Sequence, residues 1–312
     1  MKVAWVFPGQ GSQSVGMASA LLETAPEARA LFARVDDALG FSLSSVIANG
    51  PEEELTRTEH TQPAIVATSA ALVTVLRARF PNLPAPAFVA GHSLGEYSAL
   101  VAAGALALED AVRIVHARGR AMQEAVPVGV GAMAAVMGVE ADALDALCKD
   151  QSHGEVVACA NFNAPGQIVI AGHAGAVARV SEAVGSLKGR AIPLKVSAPF
   201  HCALMEPAAR VVAEKLAGVA FASLACPVVA NIDAEASSDP EVAKKKLVAQ
   251  VTGAVRWQTS VEAMVAAGIT HVVEIGPGKV LTGLVKRIAK GVTLTNVSDP
   301  ASLEAFGAAS SS

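Results

Sequence analysis

The chain has 312 residues, of which 52% are hydrophobic, 17% charged and only 4% aromatic. That is enough apolar material for one large domain, or for one domain with a smaller insert, around a core of Ala, Val, Leu and Gly rather than rings. A formal net charge of -4 argues against general binding to nucleic acid or to an anionic membrane, although Lys244-Lys245-Lys246 and Lys286-Arg287 with Lys290 form local basic clusters.

Val3-Ala4-Trp5-Val6-Phe7 follows a single lysine and breaks at Pro8-Gly9. It is too short for a signal peptide and reads as a first strand. Gly9-Gln10-Gly11-Ser12-Gln13 is then a polar, glycine-rich loop. Residues 26–38 and 61–79 read as helices, the second from its apolar spacing at Ile65, Leu72, Val73 and Leu76. Ala87-Phe88-Val89-Ala90 is a buried strand running into Gly91-His92-Ser93-Leu94-Gly95, with a helix from Glu96 to Ala103. Residues 109–125 form a further helix, opened by Glu109-Asp110 and carrying Arg113, Arg118 and Arg120. Strand and helix alternate, so a mostly parallel sheet covered by helices is expected.

The middle of the chain changes pattern. A strand at 129–139, a helix at 140–149, strands at 156–161 and 167–171, a helix at 174–187 and a strand at 191–196 make β-α-β-β-α-β. That is the ferredoxin-like order, and it is read as an inserted subdomain over 126–196. The core, 1–125 and 197–312, resumes with a helix after His201, a strand at 227–231, a helix at 241–252, a strand at 270–275, the Gly276-Pro277-Gly278 turn and a helix at 279–290. The Ser310-Ser311-Ser312 tail reads as disordered. Uncharged stretches such as 156–172 are broken by Asn, Pro and Gly, so no membrane span is expected. Cys148, Cys159, Cys202 and Cys226 are scattered, which speaks against a disulfide framework or a zinc site and for a reducing, cytoplasmic setting.

Gly91-His92-Ser93-Leu94-Gly95 between a strand and a helix is a nucleophile elbow. The turn is so sharp that its flanks have room only for glycine. The helix beneath it favours the negative charge of an oxyanion. Alone, the pentapeptide also fits an ordinary glycine-rich turn. Its base has to come from seven histidines. His201 stands out within Ser197-Ala198-Pro199-Phe200-His201, after a strand, after a proline and at the start of a helix. His92 adjoins Ser93 but should point away from its Oγ, and it and the others read as structural. No acid between Ser93 and His201 sits at a strand end, so a dyad is expected, with something other than a carboxylate holding His201. Gln10 and Gln13 suit either an oxyanion hole or the fixing of their own loop. Arg118 is either part of a solvated face with Arg113 and Arg120 or a buried fork for a substrate carboxylate. Neither Gly9–Gln13 nor Gly276–Lys279 has the spacing of a nucleotide-binding loop.

Seven stretches, in order over nearly the whole chain, resemble the malonyl-CoA:acyl carrier protein transacylases, the acyltransferase family of fatty acid and polyketide synthesis. They are Phe7-Pro8-Gly9-Gln10-Gly11-Ser12-Gln13, Thr61-Gln62-Pro63-Ala64, Gly91 through Tyr97, Arg118 through Gln123, Asn161 through Gln167, Pro199-Phe200-His201 and Glu274 through Gly278. The resemblance implies an α/β-hydrolase-like core with a ferredoxin-like insert. It implies that Ser93 attacks a malonyl thioester with His201 as base, and that the main-chain carbonyl of Gln250 orients His201. The N–H of Leu94 and the Gln10 region would hold the oxyanion. Arg118 would pair with the free malonyl carboxylate, Met122 would line the same pocket, and Phe200 would select malonyl over methylmalonyl or simply pack the cleft. Bacterial relatives often carry a small polar residue at the Phe200 position. The expected reaction is ping-pong transfer from coenzyme A to the phosphopantetheine thiol of acyl carrier protein, for fatty acid or polyketide synthesis. It is expected of a monomer without a cofactor, malonyl-CoA being a substrate. Lys286, Arg287 and Lys290 serve either the acidic carrier or a solvated face. The rivals are a serine esterase or thioesterase, which predicts a carboxylate on His201, and a non-catalytic carrier-binding scaffold, which has no use for Ser93 and His201 together.

Overall fold

The computed structural model describes residues 2–196 and 198–310. Ser197, which opens the predicted second core segment and the stretch around His201, lies outside the described residues, as do Ser311 and Ser312 of the predicted tail. Ser310 is not part of a loose tail: it closes the helix Pro300–Ser310.

In chain order the strands among the described residues are β1 (Val3–Phe7), β2 (Phe88–Gly91), β3 (Gly131–Met137), β4 (Val157–Ala164), β5 (Gln167–His173), β6 (Arg190–Pro193), β7 (Val228–Val229), β8 (Ala236–Ser237), β9 (His271–Ile275) and β10 (Thr293–Val297). A six-stranded sheet runs β10-β9-β1-β2-β7-β8, and a four-stranded sheet runs β4-β5-β3-β6. Pairing in the large sheet is parallel except between β7 and β8. Pairing in the small sheet is antiparallel throughout.

β1 has apolar side chains on both faces because helices cover both sides of a parallel sheet. Its register with β2, Val6 opposite Ala90 and Phe7 opposite Gly91, brings the carboxyl ends of the two strands level. The Gln10 loop and the elbow therefore leave the sheet side by side, at the end where open α/β sheets bind ligands. Thr58–Arg79 is buried along most of its length and packs against Leu108–Glu124, the helix that carries Arg118. The small sheet is stitched to the large unit by Val255, whose N–H donates to the Ala160 carbonyl (2.9 Å) and whose carbonyl accepts from the Phe162 N–H (2.9 Å). No helix among the described residues is long and apolar enough to cross a membrane.

Several elements differ from expectation. The strand predicted over 227–231 is only Val228–Val229, because the chain turns at Asn231. The strand predicted over 191–196 is Arg190–Pro193, where proline ends the ladder. The helix predicted over 174–187 is α-helical only to Ala183 and tightens into a 3-10 turn over Val184–Leu187. His201 does not start a helix: it sits in a turn with φ +60°, ahead of Ala203–Met205 (3-10) and the helix Glu206–Ala217.

Candidate active site

The elbow is held by contacts that explain its sequence. Ser93 has φ +52°, a left-handed conformation that is unfavourable for any residue with a Cβ. Asn231 supports it from below. Its Oδ1 accepts from the Ser93 N–H (2.7 Å) and its Nδ2 donates to the Gly91 carbonyl (2.7 Å). A Cβ on Gly91 would lie 2.5 Å from the Glu96 nitrogen, and one on Gly95 would lie 2.8 Å from the Pro8 carbonyl oxygen. Glycine is therefore required on both flanks.

Ser93 Oγ lies 2.8 Å from His201 Nε2. On its other side His201 Nδ1 lies 2.8 Å from the Gln250 backbone carbonyl. A carbonyl can only accept, so Nδ1 carries the proton and Nε2 presents its lone pair to the serine. No carboxylate is part of this chain of bonds, as the arrangement of acids in the sequence led us to expect. Burial, and after it the Arg118 cation, pushes the His201 pKa down to about 3, so the imidazole is neutral near pH 7.

Arg118 is 1% exposed. Its helix neighbours are not: Arg113 pairs with Asp110 and Arg120 with Glu124 at the surface. The solvated-face reading therefore holds for those two arginines and fails for Arg118. Its guanidinium donates to Gln62 Oε1 (2.8 Å), Gln250 Oε1 (3.0 Å) and Ser93 Oγ (3.1 Å), and it lies over the Tyr97 ring. These acceptors are all neutral. Its Nε is buried without a partner. Burial lowers the Arg118 pKa, but an arginine stays charged.

Ser93, His201 and Arg118 share a cavity of about 120 Å³ with Gln10, Met122 and Phe200. His92, Gln62, Met133, Asn161 and the exposed apolar Leu194 and Val196 complete its walls. Leu94 follows the serine at the head of the helix Gly95–Ala102. The two glutamines of the first loop have separate places. Gln13 accepts from the Gly11 N–H (2.8 Å) and so fixes the loop, whereas Gln10 is exposed and faces the cavity. His92 also reaches the cavity wall, but its Nε2 donates to Asn163 Oδ1 (2.8 Å). His60, His116, His173 and His271 are bonded elsewhere. Arg287 donates to the Pro165 carbonyl (3.0 Å) and to Gln167, pinning the small sheet's hairpin, while Lys286 and Lys290 are exposed. The head of the helix Val280–Ile288 is occupied by Glu274, which accepts from the N–H groups of Leu281 (3.0 Å) and Thr282 (2.7 Å).

Gln62, Asn231 and Glu96 hold the reacting groups and have no role in the sequence reading, nor do the wall residues Met133, Asn161, Leu194 and Val196. Gln62 is the one amide in Thr58–Arg79, placed between a polar first turn and an apolar run, a signal that could have been read. Glu96 is a charge immediately after Gly95, inside an otherwise uncharged helix. Nothing local marks Asn231.

The chain is 46% identical over 303 residues, 97% of each chain, to the malonyl CoA-acyl carrier protein transacylase of Salmonella typhimurium. It superposes with a TM-score of 0.95, at 46% identity, on an acyl carrier protein S-malonyltransferase from Vibrio cholerae, covering 98% of this chain and all of that one. A malonyl-transacylase solved with its type II PKS acyl-carrier protein is also similar, with a TM-score of 0.94 and 45% identity over 97% of this chain and 98% of that one. The family model of the acyl transferase domain matches residues 4–304, and the chain belongs to that family.

Proposed function

We propose that the protein transfers a malonyl group from malonyl-CoA to the phosphopantetheine thiol of an acyl carrier protein, through a malonyl ester on Ser93. The observation that supports this most is a buried guanidinium, held only by neutral acceptors, 3.1 Å from the nucleophilic oxygen. Such a cation has use for a substrate that carries its own carboxylate. An esterase of uncharged acyl groups has none.

His201 Nε2 takes the Ser93 proton as Oγ attacks the thioester carbonyl. The Leu94 N–H and Gln10 hold the resulting oxyanion. The carbon–sulfur bond breaks, and the imidazolium returns the proton to the coenzyme A thiolate. In the second half His201 deprotonates the carrier's thiol, the sulfur attacks the malonyl ester, and Ser93 leaves and is reprotonated. The Gln250 carbonyl keeps the imidazole in the tautomer that these steps need. A malonyl carboxylate on Arg118 offsets the cation that weakens His201, so the base strengthens as the correct substrate binds. Met122 and Phe200 bound the acyl pocket.

The alternating order of the small sheet supports a ferredoxin-like insert at 126–196. The parallel strands around the elbow support an α/β-hydrolase-like core at 1–125 and 197–312. We take the protein to act as a cytoplasmic monomer without a cofactor, in fatty acid synthesis. Exposed Lys286 and Lys290 suit the acidic carrier. The likeness to a type II PKS transacylase favours a polyketide carrier as the second reading. Intact-mass spectrometry after mixing with malonyl-CoA should show a malonyl adduct that is absent from Ser93→Ala and transferable to holo carrier protein. An unmodified wild type, or an adduct released to water and not to the carrier, would defeat the proposal.

A further inference from the structure

Beneath the elbow lies a buried carboxyl group that the steps above do not use. Glu96 is 1% exposed. Its Oε2 accepts from the Asn231 backbone N–H (2.9 Å) and from Gln250 Nε2 (2.9 Å). Gln250 touches all three members of the reacting group. Its backbone carbonyl takes the His201 proton donor (2.8 Å), its Oε1 accepts from Arg118 (3.0 Å), and its Nε2 donates to the Ser93 carbonyl (3.0 Å).

We propose that Glu96 is a positioning residue of the acyl-transfer site, its carboxylate fixing which way the Gln250 side-chain amide points. This rests on the transferase reading above. The amide can sit in two orientations that differ by exchange of oxygen and nitrogen. In the observed one, N–H faces Glu96 and the Ser93 carbonyl, and oxygen faces the Arg118 cation. The reversed one sets oxygen against a carboxylate and against a carbonyl, and N–H against a guanidinium. With Glu96 ionised, only the first is tolerable. A protonated Glu96 can donate its own O–H to the amide oxygen, which removes the strongest of these conflicts, so the reversed amide gains population against the opposition of the Ser93 carbonyl, Asn231 Oδ1 and Arg118. Arg118 and the Ser93 backbone then each lose a partner. The same carboxylate, acting through the amide, partly compensates Arg118 without covering the face that a substrate would use.

The charged and titratable groups around Glu96 are Arg118, which favours its ionised form, Asp233, which opposes it, and the Tyr97 phenol, neutral with a pKa raised to about 12. Asp233 is itself paired with Lys246 (2.7 Å). Burial outweighs the hydrogen bonds and brings the Glu96 pKa up to about 7, so the amide lock engages as pH rises through neutrality.

The test is the single-turnover rate of Ser93 acylation by malonyl-CoA from pH 5.5 to 8.5, in wild type and Glu96→Gln. Wild type should gain roughly ten-fold through one ionisation near pH 7, the scale of one hydrogen bond to a charged group. Glu96→Gln should be slow and flat across the range. ¹³C NMR of glutamate-labelled wild type should show one carboxyl titrating with the same midpoint, a readout that needs no variant. A wild-type profile without this limb, a limb retained in Glu96→Gln, or no glutamate titrating near neutrality would overturn the proposal. If no malonyl-enzyme forms at any pH, the transferase reading falls instead. The reaction of Ser93 with a neutral fluorophosphonate, followed over the same range, then still reads the limb.

Discussion

Replacing Arg118 by Gln removes a buried charge while keeping an N–H donor for the surrounding amide oxygens. In the free protein those oxygens belong to Gln62 and Gln250, at 2.8 and 3.0 Å. A shorter glutamine still satisfies one of them, so the fold loses about 1–3 kcal/mol for the acceptor left over. Transfer of a malonyl group loses more specifically. A hydrogen bond between charged groups contributes about 1.5–3 kcal/mol, which is roughly ten- to hundred-fold in rate. An acetyl group presents no carboxylate to Arg118 and should lose less than about three-fold. Rapid-quench mixing with malonyl-CoA or acetyl-CoA, with the acyl-enzyme read by intact mass, gives both numbers from one preparation. Equal losses for the two acyl groups would refute the argument that the guanidinium is there for the substrate's carboxylate.

The His201 pKa of about 3 lies below its ordinary 6.5, so the unfolded chain takes up the proton first as pH falls. That group's share of stability is present above about 6.5 and is lost towards pH 3, on the order of 5 kcal/mol in all. Urea midpoints should therefore fall more steeply between pH 6.5 and 4.5 for wild type than for His201→Gln, and parallel curves would reject the assignment. Gly95→Ala drives a Cβ to 2.8 Å from the Pro8 oxygen and should lower the calorimetric Tm by roughly 5 °C, whereas Gly283→Ala meets nothing within 4 Å in a helix and should hold or raise it. Phe200→Ser opens the acyl pocket and should shift the methylmalonyl-to-malonyl acylation ratio upward by about ten-fold or more, the scale of one methyl group in a fitted pocket; an unchanged ratio would assign Phe200 to packing alone.

What could be read from the sequence was what depends on near neighbours. The elbow declares itself because strand, two glycines and helix lie within a dozen residues, and β1, the long helices and the β-α-β-β-α-β stretch follow from local periodicity. The absence of a carboxylate on His201 was legible too, since no acid sits where a strand end would present it. Asn231 was not legible, because its meaning is a hydrogen bond to Ser93, 138 positions away. The burial of Arg118 was undecidable for the same reason: Arg113 and Arg120 on the same helix have the same composition around them, and only the packing of Thr58–Arg79 against that helix separates them. Leu43–Asn49 and the edge strand β10 went unread because they are too short or too polar to rise above a loop, whereas Trp257–Ala266 carries a helical spacing, Trp257, Val261 and Met264, that was legible and was missed.

The pair of hydrogen bonds between Val255 and the Ala160–Phe162 segment bears on how this enzyme could be rebuilt. A graft that exchanged only residues 126–196 for those of a relative would carry off one side of that seam and leave the other behind. Main-chain N–H and C=O groups make these two bonds with any sequence, but the side chains packed across the seam would then come from two proteins, and the width of the mouth between the two sheets would depend on how they fit. A chimera that also brings along the turn around Val255 keeps both halves of the seam together, and only such a chimera separates the effect of the pocket's lining from the effect of the gap's width.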